Sequence, residues 1–388
     1  MAPVKVIKNV AIAGAGGNLG PSVLKVLLAS NLFTITILTR PSSKHEFPSN
    51  VTVIPVDYNS PASLASALAG QDAVVSFFGS ESIPEQAPLL EAAIAAGVTR
   101  FIPSDFGSDT HNELVKGLAV YAGKIEIQDA VAERAARGLI EYTQIITGPF
   151  LDWGFTNGVL ADLGKKSVKL VDGGDRPISG TTREHIGTAV LGVLTHLEET
   201  KNRTVYVKNY DATQNEAVEI GKKLVGEEGW VVTNVKSADL EADAWADLKA
   251  QKFDGPVWLN FIYRAVFGDG YGGQFEGKDN ALLGVPTFGK EDFEKTLKGA
   301  LARGERAWSE KRIGILVCSG SILGAVTEQA ASERLRCRTN KLDAVTEQAA
   351  AERLICRANK LGAVPEHAAH DQGAARSEKA AGEQACRK

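Results

Sequence analysis

Apolar residues over the first 150 positions follow two alternating rhythms. Val6 to Ala13, Phe33 to Leu38, Val51 to Val56, Ala73 to Phe78, Arg100 to Pro103 and Glu141 to Thr147 are short runs rich in β-branched and apolar side chains. Runs of that length and composition predict strands. Between them, Pro21 to Leu28, Ser60 to Ala69, Glu85 to Ala96 and Val120 to Arg137 repeat apolar residues at helical spacing. Pro21 suits a first helical turn, and Gly97 is a favoured residue just past a helix end. Repeated strand–helix alternation predicts a doubly wound, Rossmann-type parallel sheet with helices on both faces, occupying residues 1–150.

From 151 to 305 the alternation loosens. Helices are predicted near Thr182 to Leu197, Gln214 to Leu224, Ala238 to Ala250, Pro256 to Phe267 and Lys290 to Arg303. Short strands near Val168 to Val171, Thr204 to Val207 and Val231 to Val235 lie between them. This half reads as a smaller α/β substrate lobe. Asp172-Gly173-Gly174-Asp175 reads as a turn, and the glycine-rich stretch Gly268 to Gly273 as a flexible loop able to act as a lid.

Residues 306–388 differ in kind. Leu323 to Ala331 recurs as Leu342 to Ala350, and a decayed copy starts at Leu361, a period of nineteen residues. Ala, Glu, Gln and Leu favour helix, but nineteen residues advance about five turns plus 100°, so equivalent side chains leave any common stripe. The segment therefore reads as a repetitive helical or disordered tail, not a coiled-coil arm.

The densest chemistry lies at the end of the first strand. Gly14-Ala15-Gly16-Gly17-Asn18-Leu19-Gly20 joins that strand to the first helix, with Leu19 where the commoner Gly-x-Gly-x-x-Gly form has its third glycine. Strand, glycine turn and helix N-terminus together form the setting in which a dinucleotide's pyrophosphate is held. Arg40 ends the second predicted strand twenty residues beyond Gly20, and Ser42, Ser43 and Lys44 follow it. An NAD-specific site would carry a carboxylate there. A guanidinium instead pairs with a 2′-phosphate, so the pattern predicts NADP(H).

Composition narrows the remaining classes. A net charge of −4 gives no electrostatic footprint for nucleic acid. No apolar run approaches the ~20 residues needed to span a bilayer. All four cysteines, Cys318, Cys337, Cys356 and Cys386, fall in the tail, so the rest of the chain relies on no disulfide, as expected of a cytoplasmic protein. No metal-ligand spacing is present, and no metal is expected.

Taken together, the glycine turn, Arg40, Arg100-Phe101-Ile102-Pro103-Ser104-Asp105-Phe106-Gly107, Lys124, Tyr142-Thr143 and Gly148-Pro149-Phe150 resemble the NmrA-like and isoflavone-reductase-like group of atypical short-chain dehydrogenases. The resemblance covers roughly residues 8 to 305, with Asp105 standing where such families usually carry Glu. It implies that Lys124 lies beside the nicotinamide as the catalytic residue. Tyr121 precedes it by three residues, not the four of the ordinary Tyr-x-x-x-Lys pair, and is expected to pack. Asp57 resembles a residue at the adenine end, or caps the following turn. Ser76 is a candidate for the ribose or diphosphate, or closes a turn. Phe106 and Phe150 would wall the nicotinamide, or belong to the core. The function implied is an NADPH-dependent reductase of a small aromatic or conjugated carbonyl-type substrate, working as monomer or homodimer. The alternative is an NmrA-type redox sensor that binds NAD(P) and acts on a regulatory protein partner without turnover.

Overall fold

The computed structural model describes residues 6–253 and 255–309. The nineteen-residue repeats and the four cysteines lie outside the described residues.

The first half runs β1 (Asn9–Ala13), α1 (Gly20–Ser30), β2 (Thr34–Thr39), β3 (Thr52–Pro55), α2 (Pro61–Leu68), β4 (Ala73–Ser76), a 3-10 turn (Ser80–Glu85), α3 (Gln86–Ala95), β5 (Arg100–Ile102), α4 (Glu113–Lys116), a 3-10 turn (Ala119–Tyr121), α5 (Ala122–Ala136) and β6 (Glu141–Ile146). Then come α6 (Leu151–Thr156), β7 (Ser167–Val171), β8 (Ile178–Gly180), α7 (Arg183–Thr195), α8 (Leu197–Thr200), β9 (Arg203–Tyr206), β10 (Tyr210–Ala212), α9 (Gln214–Val225), β11 (Val231–Val235), α10 (Ser237–Lys249), α11 (Gly255–Phe267), α12 (Asn280–Leu283) and α13 (Lys290–Ser309).

Seven strands form one parallel sheet in the order β3-β2-β1-β4-β5-β6-β9. Its side chains obey the two-residue period of a strand. Val10, Ile12, Ile35, Ile37, Ala73, Val75 and Ile102 pack on one face with Val23, Leu24 and Leu27 of α1 and Ile186, Ala189, Val190 and Val193 of α7. Ala11, Ala13, Leu38, Val74 and Phe101 pack on the other with residues of α2, α3 and α5. Both faces of the central strands are covered, so β1 and β4 are mainly apolar. Edge strand β3 is mostly exposed, whereas β5 and β6 carry the buried polar residues Arg100, Thr143 and Gln144. Part of this sheet comes from beyond residue 150, since β9 extends its edge and α7 covers one face. A third cluster, around Leu151, Phe155, Leu163, Val171, Tyr263, Phe267, Phe293 and Leu297, fills the remainder. There β8 pairs antiparallel with β10, and β7 pairs parallel with β11.

Several predicted elements shift. Strand pairing starts at Asn9, leaving Val6 to Lys8 outside the sheet. The helix predicted from Glu85 begins at Gln86, after the 3-10 turn that holds Pro84. The short elements α6, α8, β8 and β10 carry too few residues to show a period. The Gly268 to Gly273 stretch is fastened, not free. Asn112 Nδ2 donates to the Gly270 carbonyl at 2.8 Å, and Ser179 donates its amide to the Gly273 carbonyl at 2.8 Å. Tyr271 within it is buried, with its hydroxyl on Glu241.

Arg100 ties the far side of the sheet together. Its side chain is fully buried, and the guanidinium donates to Thr143 Oγ1 (2.8 Å), Thr200 Oγ1 (3.0 Å), the Leu197 carbonyl (2.7 Å) and Glu141 (3.1 Å). One side chain thereby joins β5, β6 and α8. Truncation would strand buried acceptors and leave the Glu141 carboxylate with Lys201 as its cation in place of two. Arg100→Ala is expected to cost about 3 kcal/mol or more in urea unfolding; a loss below about 1 kcal/mol would contradict this role.

Candidate functional site

Sheet order reverses between β1 and β4. From β1 the chain steps outward to β2 and β3, then returns to β4 on the opposite side. Connections leave the carboxyl ends of these strands in opposite directions, opening a crevice in which such sheets take ligands.

The floor of the crevice is the glycine turn. Gly14 adopts φ +80°, and a Cβ built on it would lie 2.6 Å from the Phe77 carbonyl oxygen. No side chain fits there. The Gly17 amide closes the turn on the Gly14 carbonyl at 3.1 Å, and a Cβ on Gly20 would run into the Ala15 backbone. Leu19 then begins α1 with no side-chain cap and no acidic residue in the first turn. By contrast, Ser60 and Thr213 cap α2 and α9. Pro21 has no N–H, and the Ser22 and Val23 amides turn back onto the Leu19 carbonyl at 3.1 and 3.3 Å. What α1 presents to the glycine turn is therefore the positive end of its dipole, which suits a diphosphate. Asn18 keeps its carbonyl turned outward, where Arg183 meets it. His45 was not foreseen, and its imidazole lies directly on Gly16.

Arg40 follows β2 and reaches over the end of β1. Its Nη2 donates to Glu85 Oε1 and Ser82 Oγ, both at 2.5 Å. Lys44 is exposed beyond it. Asp57 uses its carboxylate locally, accepting the Asn59 amide at 2.9 Å, which is the turn-closing alternative. Ser76 is fully buried. Its hydroxyl donates to Gln86 Oε1 at 2.9 Å, which also takes the Ser104 amide at 2.7 Å. Ser104 Oγ in turn accepts the Phe78 amide at 2.7 Å. This network pins the ends of β4 and β5 together, fixing one wall of the crevice.

At the β5 end, Lys124 stands in the first turn of α5. Its Nζ donates to the Phe106 carbonyl at 3.2 Å. Gly107 beside it has φ +137°, a backbone conformation that favours glycine, and a Cβ there would make only ordinary van der Waals contact with Nζ at 3.9 Å. Desolvation holds the Lys124 pKa below the ordinary lysine value, and the Asp105 charge opposes this. Asp105 is buried, accepts Gln128 Nε2 at 2.6 Å, and is itself pushed up by desolvation against the counter-effects of Lys124, Gln128, His111 and Thr110. Tyr121 is buried, donates to Ser108 Oγ at 2.8 Å, and has its phenol pushed up to about 12 by burial, as fits a packing residue. Phe106 is buried with its ring 5.3 Å from that of Phe77, and the half-buried Phe150 packs on the same cluster.

Arg183 also escaped the sequence reading. Its amide and Nε both donate to the Asp152 carboxylate at 2.9 Å, which orients the guanidinium so that Nη1 donates to the Asn18 carbonyl at 3.1 Å. A residue from the second half thereby buttresses the glycine turn. Its partner lies 165 positions away, and no local pattern announces such a pair.

Among the described residues no cluster suited to a metal ion is found, and no helix is long and apolar enough to cross a membrane.

Residues 7–231 match the NmrA-like family. The oxidoreductase aprR of Aspergillus flavus is 35% identical over 285 residues, covering 72% of this chain and 94% of the relative. The oxidoreductase poxI of Penicillium oxalicum is 32% identical over 285 residues, covering 70% and 88%. In fold, the chain is similar to leucoanthocyanidin reductase from Vitis vinifera, solved as a binary complex with NADPH. That likeness has a TM-score of 0.61 at 23% identity and covers 75% of this chain and 99% of the other.

The opposed influences on Lys124 give a direct test. Asp105→Asn removes the charge that supports the ammonium, so the Lys124 pKa is expected to fall further. NMR titration of the reductively methylated, ¹³C-labelled amine reads this, and an unchanged titration would show that Asp105 is already neutral.

Proposed function

The chain belongs to the NmrA-like family, and from that premise we propose that it is an NADPH-dependent reductase of a small aromatic or conjugated carbonyl-type compound. The observation that carries the reading is Lys124: a half-buried amine of lowered pKa, held on the Phe106 carbonyl in the first turn of α5, beside the loop that leaves the carboxyl end of β5. The two relatives named above are oxidoreductases, and the similar fold of leucoanthocyanidin reductase holds NADPH. A sensor without turnover needs the glycine turn but has no use for such a lysine.

The residues fit the cofactor. Gly14, Gly16, Gly17, Asn18, Leu19 and Gly20 let backbone approach the diphosphate, and the positive end of α1 lies behind that turn. Arg40, with Lys44 further out, takes the 2′-phosphate. Phe106 and Phe150 offer apolar surface beside Lys124 and exclude water. Ser76 and Asp57 support the walls, since their polar groups are engaged within the protein.

When bound, NADPH supplies a hydride to the substrate carbon. The chain's part is to hold the substrate against the cofactor and to provide the compensating proton. Lys124 Nζ carries that proton, and its lowered pKa brings the transfer closer to balance near neutrality. The Phe106 carbonyl fixes the amine in place, and Asp105 keeps enough of it protonated to donate.

Two outcomes are expected. NADPH should bind more tightly than NADH in a fluorescence titration, and Arg40→Ala should remove most of the difference; equal affinities in the unmodified chain that Arg40→Ala leaves unchanged would refute the 2′-phosphate assignment. On a panel of aromatic enones and ketones, Lys124→Ala should lower kcat about 100-fold or more. It should also abolish an alkaline limb that begins below the pH at which an ordinary lysine loses its proton. Turnover indifferent to Lys124 would end its catalytic assignment, and no turnover on any substrate would favour the sensor.

A further inference from the structure

The guanidinium expected to meet a 2′-phosphate already faces an anion. Arg40 Nη2 holds Glu85 Oε1, with Ser82 Oγ alongside, across the mouth of the crevice. The Arg40 side chain is 53% exposed and that of Glu85 only 26%, so the carboxylate is the more fixed member of the pair. Its other oxygen, Oε2, is buried without a hydrogen-bond partner among the described residues. The charge is therefore poorly dispersed.

Its field reaches the neighbouring phenol. Tyr58 is held well above the usual tyrosine range, first by burial and then by the Glu85 charge, with Arg40 pulling the other way. Tyr58, Arg40 and Glu85 thus form one electrostatic group around the position assigned to the adenosine ribose. Both described contacts of Arg40 use the same nitrogen, so the planar fork has further donors for a second anion.

We infer that Glu85 sets how strongly this site prefers a 2′-phosphorylated dinucleotide, by keeping a negative charge against the position of the phosphate. The inference rests on the preceding reading of Arg40. A phosphate monoester carries about −1.5 to −2 at neutral pH and must share Arg40 with the carboxylate while being repelled by it. A bare 2′-hydroxyl suffers no such repulsion and can donate to a carboxylate oxygen, the interaction that acidic residues make in NAD sites. The specificity element is then a balance of two groups. Arg40 draws the phosphate from β2, and Glu85 opposes it from the turn after β4.

The test uses the full chain and two probes, NADPH and NADH, each titrated by fluorescence into the unmodified protein, Glu85→Gln and Arg40→Ala. Glu85→Gln keeps shape and hydrogen bonding but removes the charge. It is expected to tighten NADPH about five- to tenfold, with less gain at high salt, and to leave NADH unchanged or weaker. Tightening of both probes alike, or no gain for NADPH, overturns the inference. Weaker NADPH binding in Glu85→Gln would do so too, and would make Glu85 a support that merely orients Arg40. Arg40→Ala separates the two levels: if the unmodified chain binds NADPH no better than NADH and Arg40→Ala changes neither, the underlying assignment falls as well. Thermal unfolding of each variant confirms that a lost response reflects binding and not misfolding.

Discussion

The Phe77 carbonyl occupies the space that a side chain at position 14 would need. That close approach of two backbones, at the ends of β1 and β4, is the constraint around which the rest is arranged. It obliges residue 14 to be glycine with a positive φ, which turns the chain sharply into α1. The turn leaves the start of α1 uncapped at the point where the strand order reverses. The Gln86, Ser76 and Ser104 network ties the end of β4 to that of β5 on the other side. The crevice is thus shaped by backbone packing between β1 and β4 and by the side-chain network that joins β4 to β5.

The glycine turn and the sheet were legible in the sequence for a physical reason. Burial on both faces writes β-branched runs into the strands, and burial on one side writes a helical period into the helices. The segments β8, β10 and α6 carry neither a β-branched run nor a helical repeat. Arg40 could be placed because a strand end lies at a fixed distance from the glycine turn. Arg183 and Glu85 could not, because an ion pair between distant segments leaves no period in either. Ser76 shows the opposite failure. A serine at a strand end invites a ligand role, yet its burial and its bond to Gln86 become visible only once β4 and β5 are side by side.

Electrostatics around Lys124 illustrate how environment, more than residue type, sets reactivity. Burial of both Lys124 and Asp105 penalises each charge, while each supports the other. Tyr121, one helical turn away, is pushed by burial to become a weaker acid, with its hydrogen bond to Ser108 pulling the other way. Burial thus acts on all three groups, and what distinguishes them is the charge or hydrogen bond that opposes it.

The weaving of later residues into the first sheet constrains how such a protein can be remodelled. β9 closes the sheet's edge, α7 covers one of its faces, and Arg183 at the start of α7 leans on the glycine turn. A graft exchanging everything after residue 150 for the corresponding part of a relative would import a new strand, a new helical layer and a new buttress for the dinucleotide loop. Substitutions confined to the separate third cluster avoid all three. Divergence in what the protein accepts is therefore channelled into side chains laid over an inherited frame, and wholesale exchange of modules is disfavoured.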